Sequence, residues 1–138
     1  MTRRALLFAT VAAALRADSE YQVRSLFVSL ASALSGGRAS EFMDAFDPAM
    51  PGYQTLRAVI AALLRDFEVQ SVIDLLSNAG DDRARSVEAD WALRITERSG
   101  AAASIQRRQK VTCRAEKPAR KWRIVSFEPL SLFDPPRF

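Results

Sequence analysis

The hydrophobic period of this chain changes once, at Asp66, and that change constrains the fold more than any other feature. Before it, apolar residues recur every three or four positions. Val23, Leu26, Phe27, Leu30 and Leu34 form one helical stripe, which Gly36-Gly37 ends. Ser40 is placed to cap a second, short helix with Phe42, Met43 and Phe46 facing inward, until Asp47-Pro48 and Met50-Pro51-Gly52 break the chain. Tyr53 leads a third helix, with Leu56, Val59, Ile60, Leu63 and Leu64 on its apolar face.

After Asp66 the period is two, as in a half-buried strand. Phe67, Val69, Ser71, Ile73 and Leu75 alternate with Glu68, Gln70, Val72 and Asp74. Asn78-Ala79-Gly80-Asp81-Asp82 reads as a turn by composition. Val87, Ala89, Trp91, Leu93 and Ile95 then alternate with Glu88, Asp90, Ala92, Arg94 and Thr96. Ser99-Gly100 turns the chain again, and Ile105 to Arg114 and Lys121 to Phe127 supply two more strands around the loop Glu116-Lys117-Pro118-Ala119. Three helices followed by four strands on short turns predict an α+β domain, an antiparallel meander covered on one face by helices.

The first residues read as a leader rather than as fold. Thr2-Arg3-Arg4 is followed by an uncharged apolar stretch from Ala5 to Leu15, then Arg16-Ala17-Asp18. That stretch has signal-peptide length and is shorter than the ~20 residues of a membrane-spanning helix. The expected division is a signal peptide over 1–17, cleaved after Ala17, and one domain over 18–138, with no membrane segment left in the mature chain. The opening Arg3-Arg4 resembles a twin-arginine export signal, the general secretory route being the alternative, and either predicts a periplasmic or secreted protein. The competing reading is that residues 5 to 17 begin the first helix, since alanine and leucine are strong helix formers.

Removing the leader changes the electrostatics. Of 20 basic and 16 acidic residues, Arg3, Arg4 and Arg16 precede Asp18 and no acid does, leaving 17 basic against 16 acidic. The isoelectric point near 9.8 therefore belongs largely to the leader and predicts no nucleic-acid binding. The rest is polarised: Asp18 to Asp82 holds four basic and ten acidic residues, and Arg83 to Arg123 twelve basic and four acidic. The run Arg107-Arg108-Gln109-Lys110 lacks interleaved aromatics and is expected on a solvated outer strand face. One cysteine, Cys113, leaves no intramolecular disulfide, and the absence of histidine removes the commonest metal ligand and general base. Neither a metal nor another cofactor is expected.

Three segments carry a family resemblance: Phe42-Met43-Asp44-Ala45-Phe46-Asp47, Asp90-Trp91-Ala92-Leu93-Arg94-Ile95 and Trp122-Arg123-Ile124-Val125-Ser126-Phe127. They resemble exported bacterial members of the NTF2-like, or SnoaL-like, superfamily, over nearly the whole mature chain. The resemblance implies a cone: three N-terminal helices packed on a strongly curved four-stranded antiparallel sheet, with a pocket between them. That superfamily includes isomerases, cyclases, dehydratases and epoxide hydrolases beside members that only bind, so fold alone does not choose an activity.

Within such a cone the pocket candidates are Phe46, Tyr53, Trp91 and Trp122, with Met43 and Met50 near its mouth. Each also reads as plain core. Acid or base work would fall to Asp44, Asp74, Asp90 or Tyr53. Alternation turns Asp90 outward, opposite Trp91, and leaves Tyr53 with Asp44 or Asp47 as the one pair for catalysis. The expected function is therefore non-catalytic binding of a small apolar ligand or a partner, by a homodimer joined through its sheet. A cofactor-free lyase, isomerase or cyclase is the alternative.

Overall fold

The computed structural model describes the backbone of residues 2–99 and 103–138, with side chains from residue 17 onward. Helix α1 (Thr2–Ser35), α2 (Ala39–Asp44) and α3 (Tyr53–Asp66) precede β1 (Phe67–Gly80), β2 (Ala84–Glu97), β3 (Ser104–Glu116) and β4 (Arg123–Glu128), and a 3-10 turn, Leu130–Phe133, follows. The strands form one antiparallel sheet in the order β1-β2-β3-β4, curved around the helices as expected.

Helices α1 and α3 bury most of the stripe their sequences declare, with Leu26 and Val59 partly buried. Helix α2 begins at Ala39 after Arg38, so Ser40 lies inside it and does not cap it, and Phe46 follows its end. Val23, Phe27, Leu30 and Leu34 of α1 and Leu56, Ile60, Leu63 and Leu64 of α3 are buried. Gly37 adopts φ 70°, and the amides of Arg38 and Gly37 bond the carbonyls of Ala33 and Leu34 at 2.8 and 3.1 Å. This is the Schellman ending that a left-handed glycine permits. At its other end the backbone of α1 is helical from Thr2. Among the residues whose side chains are described, Ala17 and Asp18 are exposed and Ser19 is buried. The side chains of residues 1–16, on which the leader reading rests, lie outside the described residues, as does Gly100 of the Ser99-Gly100 turn.

In β2, Val87, Ala89, Trp91, Leu93 and Ile95 are all buried on the concave face, and Val69, Val111, Cys113, Ala115, Ile124 and Phe127 extend that face into neighbouring strands. Three strand limits need correction. β1 runs through Gly80, so Asn78, Ala79 and Gly80 pair with β2 instead of turning, and the hairpin closes over Asp81, Asp82 and Arg83. Asp81 Oδ1 accepts the amides of Arg83 and Ala84 at 2.8 and 2.9 Å, a side-chain substitute for backbone turn bonds. β3 reaches Glu116 rather than Arg114. β4 begins at Arg123 rather than Lys121, and a parallel bridge between Phe46 and Ile124 ties the exit of α2 to it.

Cys113 sits on the concave face, 2% exposed, and burial pushes its thiol up to about 12. The thiolate is the nucleophile, so the native protein should resist alkylation by iodoacetamide near neutral pH and react promptly in urea. Rapid labelling in native buffer would show that β3 has been placed with the wrong face inward.

Candidate functional site

The concave face is an aromatic cluster centred on Trp91. The register sets Ile73 opposite Trp91 on one side and Gln109 on the other, with Ser71, Leu93 and Arg107 forming the next row. Trp91 is fully buried, and its Nε1–H donates to Ser71 Oγ at 2.8 Å, which satisfies the indole's one polar atom. Three rings meet it edge-on: Phe133 at 5.4 Å between centroids, Phe127 at 5.6 Å and Phe27 at 6.4 Å. Phe42 joins through Phe133 at 5.4 Å, and Phe46 through Phe127 at 6.0 Å.

Of the four pocket candidates, Phe46 and Trp91 thus belong to one cluster, linked by Phe127. Trp122 is buried at a different place, just before β4, where its Nε1–H donates to Gln22 Oε1 at 2.9 Å. Lys117 Nζ shares that oxygen at 3.3 Å, so Gln22 pins α1 to the β3–β4 loop. Tyr53 stands half-buried at the first turn of α3. Met43 and Met50 are buried core residues.

Polar groups are disposed mostly outward. Asp44 and Asp74 are exposed, and Asp47 Oδ1 accepts the amide of Ala49 at 2.8 Å in a local turn. Asp90 faces outward as alternation requires, and the Arg108 guanidinium that hydrogen-bonds it at 2.7 Å holds its carboxyl below the usual range. Lys110 pairs with Glu88 across the same strands at 3.3 Å. Among the described residues, the buried polar side chains are Ser19 and Arg85. No three potential metal-ligating carboxylates or thiols cluster among those residues, and no helix among them is long and apolar enough to cross a membrane.

One member of the basic run departs from the solvated outer face expected for it. Arg107 shares the inward parity of Ile105 and Val111, is half-buried, and donates through Nη1 to the carbonyls of Leu132, at 2.9 Å, and Asp134. The signal was present in the alternation of β3, but a run of charges masks it. Phe133, at the centre of the cluster, had no such signal, because four residues of 3-10 turn are too few to show a period. At the surface, an open groove of about 390 Å³ between α1 and β1 is lined by Arg24, Phe27, Val28, Ser71, Ile73 and Leu75 among others. Through Phe27 and Ser71 it backs directly onto Trp91.

A helix-covered, curved four-stranded meander of this order is the NTF2-like fold, and solved structures agree. A conserved protein from Planctomyces limnophilus superposes with a TM-score of 0.74 at 11% identity, over 81% of this chain and 94% of its own. An NTF2-like superfamily protein from Salmonella enterica serovar Typhimurium gives 0.64 at 11% identity, over 80% and 89%. A protein described as a dehydratase of the NTF2-like family, from Streptomyces avermitilis, gives 0.66 at 10% identity, over 80% and 94%. No family model matches the sequence, and no curated protein matches it. At such identities the likeness carries the fold and nothing of the chemistry.

Proposed function

We propose that this chain is an exported, non-catalytic binding module that holds a small apolar ligand against the aromatic face around Trp91. The observation that supports this is the make-up of the cluster: five phenylalanines and one tryptophan, with a single hydroxyl as polar handle. The cluster is closed by its own rings, and a flat apolar molecule would reach it from the α1–β1 groove that Phe27 and Ser71 line, held by area and edge-to-face geometry. Catalysis would instead need an acid or base beside the reacting atoms, and the carboxylates of Asp44 and Asp74 sit exposed. Titration with flat apolar compounds should quench tryptophan emission saturably, and a folded Trp91→Phe variant should lose that response. Saturable quenching that survives in Trp91→Phe would move the ligand to Trp122.

Export rests on Arg3-Arg4, the apolar stretch from Ala5 to Leu15 and the small residue Ala17 before Asp18. Residues 1 to 20 fused to a reporter active only outside the cytoplasm should confer activity. Protein recovered from the cytoplasm with its first residues intact would remove this part of the reading. A homodimer through the outer sheet face also belongs to it, and sedimentation of a monomer at high concentration would remove that.

A further inference from the structure

The cluster around Trp91 contains one ring that does not come from a helix or a strand. Phe133 lies on the 3-10 turn after β4, is fully buried, and touches Trp91, Phe127 and Phe42 at 5.4 to 5.5 Å. The segment that carries it is held mainly by apolar packing, through buried Leu132 and Phe133 and the ring pair of Phe67 with Phe138, and by few hydrogen bonds. Pro129, Pro135 and Pro136 have no amide hydrogen to give, and the bonds from Leu132 N to Pro129 O and from Asp134 N to Ser131 O are internal to the segment. Among the described residues, the hydrogen bonds joining 129–138 to the rest of the fold are the two from Arg107 to the carbonyls of Leu132 and Asp134. A segment with few such bonds opens locally at a smaller cost than global unfolding.

Those two bonds also describe a ligand. A phenyl ring fills an aromatic seat while the carbonyls of the residues on either side of it both accept from one nitrogen, Arg107 Nη1. A carboxylate that took their place would accept from the same guanidinium with full charge, and such bonds are stronger than those to neutral carbonyls. We infer that the cone takes a small monocyclic aromatic carboxylate in exchange for the chain's own Phe133, with the ring between Trp91, Phe127 and Phe42 and the carboxylate on Arg107. This rests on the binding-module reading and adds to it the ligand class, the seat and the segment that must leave. Binding then couples to release of 129–138, and the affinity of the intact chain is lowered by the fraction of time the seat is closed.

The probe is 3-phenylpropionate, with neutral 3-phenylpropanol as its control, titrated into the full chain and into Phe133→Ala. Tryptophan emission follows binding, and hydrogen exchange of the amides of 130–138 follows the segment. The acid should bind Phe133→Ala about tenfold more tightly than the wild type, since an emptied apolar cavity accepts a ring of its own size. In the wild type it should speed exchange of 130–138. Arg107→Gln added to Phe133→Ala should weaken the acid by about tenfold, as loss of a charged pair does, and leave the alcohol unchanged. Where Phe133→Ala does not fold, Phe133→Leu replaces it and the wild-type exchange still decides. Equal binding of acid and alcohol overturns the ligand class. Binding with exchange of 130–138 unchanged overturns the exchange mechanism and points to the α1–β1 groove, leaving the binding reading standing. No binding of either compound to any folded variant overturns both.

Discussion

Trp91→Ala should lower the unfolding free energy by ~3 to 5 kcal/mol, the range for deleting a large aromatic side chain from a packed core. The residue is fully buried and meets three rings edge-on, and each such pair adds about 0.5 to 1.5 kcal/mol beyond the area it buries. Its deletion also strips Ser71 Oγ of the indole donor it accepts at 2.8 Å. Trp91→Phe should cost less, because a ring is kept and mainly that bond and some volume are lost. Asp90→Ala, one residue away but on the outer face, should stay within about 0.5 kcal/mol, as surface changes usually do. Its partner Arg108 is largely exposed, so the pair between them contributes little in water. Urea unfolding followed by far-ultraviolet circular dichroism measures all three. A Trp91→Ala protein as stable as Asp90→Ala would mean that β2 presents its other face to the helices, which a one-residue slip of register would do.

The contrast between neighbours at 90 and 91 also shows what was legible in the sequence. Every residue of β2 from Val87 to Ile95 lies on the side its alternation indicates, because a strand with one dry and one wet face writes its orientation into each position. The stripes of α1 and α3 were readable for the same reason, with a period of 3.6. Reading failed where composition and context disagree. Asn78-Ala79-Gly80 looks like a turn, yet it is strand, held straight by a residue seven positions away. Arg107 was lost in a run of charges, although its parity with Val111 marked it as inward. The site itself was half legible. Trp91 and Phe46 were recognisable as apolar residues of the right size, but that they share Phe127 is a matter of contacts across 36 and 81 positions, which no local pattern encodes.

Arg85→Ala should cost about 2 to 4 kcal/mol, an unusually large effect for a charged residue, because hydrogen bonds to a charged group are worth ~1.5 to 3 kcal/mol each and buried acceptors left without a donor add to the loss. Arg85 follows the inward parity of Val87 and Ala89 and is 4% exposed at the end of the β1–β2 hairpin. Its Nε donates to Asn78 Oδ1 at 2.7 Å, Nη2 to Asn78 O at 2.8 Å and Nη1 to Asp81 O at 3.2 Å. Asn78 in turn donates through Nδ2 to Glu20 O at 3.0 Å, so the guanidinium fastens the hairpin to itself and, through Asn78, to α1. The approach is close: a Cβ on Gly80 would lie 2.2 Å from Ala84 O, which leaves glycine as the residue that fits there. Arg85→Lys keeps the charge but gives up the planar fork that reaches several acceptors at once, so it should recover only part of the loss. Asn78→Ala should be strongly non-additive with Arg85→Ala, since both remove the same network. Chemical unfolding of the two single variants and the double variant measures this directly. If the two losses simply add, or if Arg85→Ala stays within about 0.5 kcal/mol of the parent as an ordinary surface change would, the guanidinium does not hold the hairpin and the turn is fixed by Asp81 alone.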